Sequence, residues 1–343
     1  MSLMNKIKKN STFKAGRVDV LSESKFLHQK DMTKTMVPAV NIALSGSPEG
    51  GFTSGLTMIA GPSKHFKTAF GLLMMKSYLD KNPAGVALFY DSEFGTPQAY
   101  FDTFQIDTNR VIHVPVTNLE ELKFDIMSQL SDIEVGDKLF IVIDSVGNLA
   151  SKKEVDDAES GKSAADMTRA KQFKSLFRMV TPHLSMKDIP MVAINHTYDS
   201  QGMFPTKVVS GGTGMYYSAD TIWIIGRQQE KTGTEISGYN FIINVEKSRF
   251  VREKSKIPVS VRHEGGMDTW SGLLDMALDA GCINQSGAWY QLVDLETGEV
   301  QEKKYRSKEF TGKEFWNPIL ESDHFKKYLK ERYVVGNSAI MEE

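Results

Sequence analysis

Apolar residues along this chain fall into two patterns. Seven short runs are almost continuously apolar and are bounded by turn or charged residues: 56–61 (LTMIAG), 86–91 (VALFYD), 138–144 (KLFIVID), 189–195 (IPMVAIN), 221–227 (TIWIIGR), 239–248 (YNFIINVEKS) and 257–262 (IPVSVR). Runs this short with little polar alternation predict strands buried on both faces. Between the first four lie longer segments whose apolar positions recur every three or four residues. In 167–184 (MTRAKQFKSLFRMVTPHL), Ala170, Phe173, Leu176, Phe177, Val180 and Leu184 form one stripe, while Lys171, Lys174 and Arg178 fall off it. That spacing predicts an amphipathic helix. Strand–helix–strand alternation predicts an α/β fold with a mostly parallel twisted sheet covered by helices on both faces. The last strands follow one another closely, which predicts antiparallel pairing at that edge.

The pattern changes after about residue 265. Residues 271–281 (SGLLDMALDAG) predict a short amphipathic helix, and 288–305 (AWYQLVDLETGEVQEKKY) a hairpin turning at Thr297 and Gly298. Residues 324–335 (HFKKYLKERYVV) predict a final basic helix, and together these make a small α+β C-terminal domain. Near the N-terminus, 20–32 (VLSESKFLHQKDM) predicts a short helix capped by Ser22 or Ser24.

Composition narrows the class. With 41% hydrophobic and 24% charged residues over 343 positions, the chain is an ordinary globular one rather than a disordered one. A formal net charge of -2 means that any nucleic-acid footprint is local rather than global. The single cysteine, Cys282, excludes an intrachain disulfide and reads as a small core residue. No apolar run approaches the ~18 residues of a membrane span. The polar, basic start 1–14 (MSLMNKIKKNSTFK) lacks the apolar stretch of a signal peptide. A soluble intracellular protein with no membrane partner is expected.

The candidate chemistry lies at the ends of the predicted strands. Residues 59–70 (IAGPSKHFKTAF) follow the first strand and precede a helix, the setting of a phosphate-binding loop. Gly61, Lys67 and Thr68 stand where the pattern G-x-x-x-x-G-K-[ST] requires them, with Pro62, Ser63, Lys64, His65 and Phe66 between. In such a loop Lys67 reaches the β- and γ-phosphates of ATP and Thr68 places its hydroxyl on Mg²⁺. Phe66 occupies the place of the second glycine. Either it takes glycine's left-handed conformation and stores about 1–3 kcal/mol of strain, or the loop adjusts around it. The strand 138–144 ends at Asp144, in the position of an aspartate that holds Mg²⁺ through water. Asp91 and Glu93 lie at and beyond the end of 86–91. Ligands of open α/β sheets bind outside the carboxyl ends of strands, so all three carboxylates are expected to converge on the loop. Glu93 is the candidate to orient and deprotonate an attacking water. Taken singly, each acid reads equally as a solvated strand-end residue.

With these features in place, the chain resembles the RecA-type recombinases, in particular the UvsX-like recombinases of T-even-like bacteriophages. Segments carrying the resemblance run nearly end to end, among them KFLHQKDMTKT, VNIALSG, GPSKHFKT, LFYDSEFG, IDSVGNLASKKE, AINHTY, GGTGMYYSAD, NVEKSR, SGLLDMAL and GAWY. Phe66 belongs to this version of the loop. The resemblance implies a RecA-like core at 36–265, an N-terminal subunit-docking segment at 1–35 and a small C-terminal domain at 266–343. It implies helical filaments on single-stranded DNA, pairing with duplex DNA, strand exchange, and ATP held between neighbouring subunits. It further implies a single-strand-binding protein and a loading mediator as partners, in the cytoplasm of an infected bacterial host. Similar chains continue into an acidic tail, so the sequence ending at Glu343 is expected to be shortened there.

Residue by residue, Glu93 matches the family's catalytic glutamate and Tyr100 an aromatic that stacks on adenine; without the family, Tyr100 reads equally as a core tyrosine. His196 stands where RecA has a glutamine that senses the γ-phosphate and relays its presence to a DNA-binding loop. Lys247 and Arg249 match two lysines that reach a neighbour's γ-phosphate, where they act like arginine fingers; taken alone they read as a solvated basic turn. Two long polar segments without periodicity, 151–165 and 197–214, match DNA-binding loops 1 and 2. There Lys152, Lys153, Lys162, Lys207 and nearby Arg169 are candidate phosphate contacts. Gly211 and Gly212 let backbone amides approach closely, and Met203 and Phe204 are candidates to wedge or stack against bases. Flexible surface loops are the alternative reading. Three rival functions remain at this stage: a RecA-fold ring helicase, an ATP-switched filament that does not hydrolyse, and a small-molecule kinase using the same loop.

Overall fold

The computed structural model describes residues 2–13, 17–24, 31–161, 168–200 and 206–336. Its centre is a nine-stranded sheet. The strands are β1 (Gly55–Ala60), β2 (Val86–Asp91), β3 (Val111–Pro115), β4 (Leu139–Asp144), β5 (Pro190–Asn195), β8 (Thr221–Thr232), β9 (Glu235–Lys247), β10 (Lys256–Arg262) and β11 (Gly266–Met267). Their order is β11-β10-β9-β8-β1-β5-β4-β2-β3. From β8 to β3 every pairing is parallel, whereas β8, β9, β10 and β11 pair antiparallel. The expected sheet and its antiparallel edge are both present. A small hairpin, β6 (Thr197–Asp199) with β7 (Lys207–Val209), follows β5.

Alternation along the central strands divides the core into two layers. Ile59, Phe140, Val142, Val192 and Ile194 face one side, which also receives Phe70, Leu72 and Trp223. Leu56, Met58, Ile141, Ile143, Met191 and Ala193 face the other. The first side is covered by α2 (Pro38–Ser45) and α3 (Lys67–Lys81), the second by α5 (Leu119–Asp132) and α7 (Thr168–Lys187). The α7 stripe is the one the spacing predicts: Phe173, Leu176, Phe177, Val180 and Leu184 are all buried. Shorter helices are α1 (Leu3–Asn10), α4 (Gln98–Thr103), α6 (Lys152–Glu159) and α8 (Thr213–Ser218).

The C-terminal part contains α9 (Leu273–Asp279), the hairpin β12 (Ile283–Ser286) with β13 (Trp289–Leu292), α10 (Lys313–Glu321) and α11 (Asp323–Tyr333). Its core residues Trp316, Phe325 and Leu329 join the first layer. The chain after α11 ties back to the loop following β9: Arg252 N donates to the Tyr333 carbonyl (2.7 Å) and Val335 N to that of Phe250 (3.0 Å).

Several expectations need correction. The segment 151–165 is not structureless throughout, because α6 begins in it, with the Ser151 hydroxyl capping the Glu154 N–H at 3.1 Å. The segment 197–214 carries β6, β7 and the start of α8. The turn expected at Thr297 and Gly298 needs no correction: the antiparallel bridges Val293–Val300 and Tyr290–Tyr305 flank it, and β13 pairs in addition with β12. Of the expected N-terminal helix, a single 3-10 turn at Leu21–Glu23 is described, and 25–30 lie outside the described residues. Instead α1 starts at Leu3 with Ser2 as its cap.

Candidate functional site

Four parallel strands end on one side of the sheet, and each delivers a candidate. The loop 61–66 follows β1, Glu93 follows β2, Asp144 ends β4, and His196 follows β5. A cavity of about 290 Å³ lies between them, bordered by the loop, Glu93, Tyr100, Asp144 and His196. Helix α3 opens at the loop, so its first N–H groups and positive dipole end face this cavity.

Phe66 takes glycine's conformation, at φ 60° and ψ 18°, which decides between the two expectations for the loop. Lys67 is 7% exposed and its ammonium donates to the Pro62 carbonyl at 2.8 Å. Burial lowers its pKa, against the attraction of Glu93 and Asp144. The Thr68 hydroxyl donates to Asp144 Oδ2 at 2.8 Å. Asp144 Oδ1 is buried and has no hydrogen-bond partner. Burial pushes the Asp144 carboxyl up to about 6; the Thr68 hydroxyl opposes this and the negative charges of Glu93 and Asp91 add to it. A hydroxyl beside a carboxylate with an unpartnered oxygen is a hard-cation environment, so Thr68 and Asp144 fit a Mg²⁺ ion. Among the described residues no group of three or more His, Cys, Asp and Glu side chains could hold a metal ion.

Glu93 is held on two sides. His196 Nε2 lies 2.9 Å and the Ser145 hydroxyl 2.6 Å from Glu93 Oε1. The bond from His196, then that from Ser145, lowers the carboxyl to about 2 despite its partial burial. The His196 backbone is fixed in turn, because its main-chain N–H donates to Asn195 Oδ1 (2.8 Å) while Asn195 Nδ2 donates to the Ser210 carbonyl (2.7 Å). The end of β5 is thereby bonded to the segment after β7. Ser145 was not among the expected site residues, although it follows Asp144 directly; it is fully buried, and the Asp144–Ser145 peptide bond is cis. Thr96, 3.4 Å from Asp144 Oδ2, was also missed.

The convergence of three carboxylates is corrected to two. Asp91 Oδ1 accepts the N–H groups of Glu93 and Phe94 (3.0 and 2.8 Å), and Oδ2 lies 3.2 Å from His113 Nε2. It shapes the turn that presents Glu93. Tyr100 borders the cavity and meets Phe104 edge-on at 5.6 Å.

Lys247 and Arg249 do not border this cavity. The Lys247 ammonium donates to the Tyr216 carbonyl at 2.7 Å, and Arg249 Nε lies 2.5 Å from Asp220 Oδ1. Arg249 lines a separate cleft of about 500 Å³ with Lys174 and Arg178.

The DNA-contact candidates are spread over three elements. Lys152 and Lys153 open α6, where Lys153 pairs with Asp157. Arg169 donates to the carbonyls of Leu149 (2.8 Å) and Gly147 (2.7 Å), so it braces α7 against the turn after β4. Lys207 pairs with Asp199 across the hairpin at 2.7 Å. Gly211 and Gly212 have φ of 97° and 76° and lead into α8; a Cβ on Gly211 would come within 2.7 Å of Met215 Sδ. Lys162, Met203 and Phe204 lie outside the described residues.

Comparison with known proteins agrees with this geometry. Residues 2–268 match the family profile described as "RecA N-terminal domain". The chain belongs to the RecA family. Residues 270–329 match the profile "Bacteriophage T4, Recombination and repair protein, C-terminal domain". Among relatives, the "Recombination and repair protein" of Enterobacteria phage T4 is 51% identical over 321 residues, covering 92% of this chain and 82% of that protein. "Protein RecA" of Acidothermus cellulolyticus is 25% identical, covering 89% and 85%. "Protein RecA" of Bacteroides thetaiotaomicron is likewise 25% identical, covering 86% and 87%. The RecA family match spans the whole loop, both Glu93 and Asp144, and Lys247 and Arg249.

Proposed function

We propose that this chain is an ATP-dependent recombinase. It forms helical filaments on single-stranded DNA and catalyses homologous pairing and strand exchange with duplex DNA. One observation carries the mechanism: Glu93 is aimed at the phosphate loop by His196 and Ser145, while Lys247 at the end of β9 and Arg249 just past it lie away from that cavity. A hydrolytic centre that holds Lys67 but neither of these two cations within one subunit fits ATP bound between neighbours.

In this reading Gly61, Pro62, Ser63, Lys64, His65 and Phe66 cradle the phosphates with backbone N–H groups. Lys67 leaves the Pro62 carbonyl for the γ-phosphate, and Tyr100 stacks on adenine. Thr68 and Asp144 would hold Mg²⁺, the latter by way of water, and the ion would neutralise charge on the phosphates. Glu93, ionised at every working pH, orients water and accepts its proton. His196 bonds Glu93 and, through Asn195, the segment after β7 at Ser210, which would let it report phosphate state to a DNA-binding loop. Lys247 and Arg249 complete a neighbour's site.

Residues 1–35 dock onto a neighbouring subunit, 36–265 form the ATPase core, and 266–343 form the C-terminal domain. Lys152, Lys153, Lys162, Arg169, Met203, Phe204, Lys207, Gly211 and Gly212 are proposed to line the DNA path, chiefly through phosphate contacts. The match of 270–329 to a recombination protein's C-terminal domain supports this over a ring helicase. Among the described residues no helix is long and apolar enough to cross a membrane. Action in the cytoplasm of an infected host is proposed from the likeness to a phage recombination protein. A single-strand-binding protein and a mediator are the expected partners.

Strand exchange between a circular single strand and a homologous linear duplex tests the proposal. ATP-dependent joint molecules are expected with homologous DNA and not with heterologous DNA. A helicase would instead unwind duplex DNA regardless of homology.

A further inference from the structure

Two residues of the phosphate loop that are not glycine lie in the left-handed region, Lys64 and Phe66, both at φ 60°. An L-residue is disfavoured there, so the surrounding structure has to hold the loop in shape. The holders are on β8 and β9. The Phe66 ring lies on that of Phe241 with centroids 4.9 Å apart and planes 15° from parallel. Phe66 also meets Phe70 edge-on at 5.8 Å, while Phe241 is itself only 4% exposed. The Lys64 carbonyl accepts a hydrogen bond from Arg227 Nη1 at 3.1 Å. The Arg227 guanidinium lies 4.8 Å above the Tyr239 ring, which is 6.1 Å from Phe241. These contacts close a circuit from Lys64 through Arg227, Tyr239 and Phe241 back to Phe66. At the base of the loop, a Cβ on Gly61 would lie 3.0 Å from the Ile225 carbonyl, so the chain there runs directly against β8.

We infer that Phe66, Phe241 and Arg227 are positioning residues that fix the phosphate-binding loop by clamping it to β8 and β9, in place of the second glycine of the usual loop. None of their side chains has to touch the reacting atoms. They act through the loop's N–H groups and through Lys67, which opens the helix that Phe66 caps. The inference rests on the nucleotide-site reading above. Because β9 continues to Lys247, the strand that braces a subunit's own loop also carries a cation offered to its neighbour.

The test is calorimetric titration of the full chain with Mg-ADP. Phe241→Leu keeps an apolar side chain but loses the ring stack, and should weaken binding about tenfold. Phe66→Gly, in which glycine holds the left-handed conformation unaided and keeps the loop N–H, is the reference background. In the Phe66→Gly background, Phe241→Leu should change affinity less than about twofold, since the pair then shares no contact. Phe66→Leu, which leaves Phe241 intact, should bind about tenfold more weakly than Phe66→Gly. Arg227→Ala should weaken binding with Phe66 present and less in the Phe66→Gly background. Equal weakening by Phe241→Leu in both backgrounds, no weakening in either, or equal affinity of Phe66→Leu and Phe66→Gly would overturn the clamp. Failure of the wild type to bind Mg-ADP would overturn the nucleotide site itself, and the clamp with it.

Discussion

Arg110 offers a quantitative test of how the site is supported. It precedes β3, far in sequence from the phosphate loop, yet it closes the other end of the helix that starts there. Arg110 Nε and Nη2 donate to the Gly85 carbonyl at 2.9 and 2.6 Å, Nη2 to that of Asn82 at 2.5 Å, and Nη1 to that of Leu79 at 3.1 Å. Leu79 is in the last turn of α3, Asn82 is its C-cap, and Gly85 leads into β2. These carbonyls have few other partners, and the guanidinium also opposes the negative end of the helix dipole. Arg110 is half-buried, so water partly replaces it when it is removed. At about 1 kcal/mol per carbonyl, Arg110→Ala should cost about 3 kcal/mol of stability. Arg110→Lys should recover roughly a third, because a single ammonium cannot span three acceptors as a planar fork does. Urea unfolding of the nucleotide-free protein, followed by near-ultraviolet circular dichroism, measures both. Mg-ADP affinity should change less than about threefold, since the loop lies at the opposite end of α3. A loss below about 1 kcal/mol for Arg110→Ala, or full recovery by lysine, would refute the argument from geometry.

Other outcomes follow from the same contacts. Glu93→Gln should lower ATP turnover by about 10²–10⁴-fold while leaving nucleotide affinity nearly intact, as steady-state rates and titration would show. Glu93 has a native carboxyl depressed to about 2, so it contributes stability above its unfolded value near 4.5, which is lost as the pH falls through the native one. The stability of Glu93→Gln should therefore fall less steeply than that of wild type as the pH drops from about 5 to about 3.5, measured by urea unfolding; parallel curves would contradict the cited hydrogen bonds. Gly147→Ala would bring a Cβ within 2.6 Å of Asn195 Oδ1 and 2.8 Å of His196 Cδ2. It should displace His196 from Glu93, reducing turnover in the presence of DNA more than Mg-ADP affinity; unchanged turnover would show that His196 does not matter to the step.

Legibility of the fold in the sequence followed burial. Strands β1, β2, β4 and β5 are apolar on both faces and stand out as continuous runs. The edge strand β3 does not: Ile112 is 56% exposed, His113 interrupts the run, and nothing marks VIHVP as a strand without its partner β2. Helix α6 and the β6–β7 hairpin bury almost nothing. They form through a serine cap and a short ladder, features that hydrophobic periodicity does not detect. At the site, Lys67, Thr68, Glu93 and Asp144 were legible because strand ends and a loop motif locate them. The supporting residues were not. Ser145, Thr96, Arg227 and Phe241 belong to different strands and loops, and only the folded sheet brings them to Glu93, Asp144 or the loop. Asp91 shows the converse error, a strand-end acid whose lone pairs are occupied by its own turn.

The central claim is that hydrolysis needs a neighbouring subunit. Steady-state ATP turnover, with and without single-stranded DNA, tests it most directly in wild type and in Arg249→Ala. The account predicts strong stimulation by DNA in wild type and its loss in Arg249→Ala, with Mg-ADP affinity of the isolated subunit preserved. Turnover indifferent to both DNA and the substitution would contradict a shared site and leave a self-contained nucleotide hydrolase.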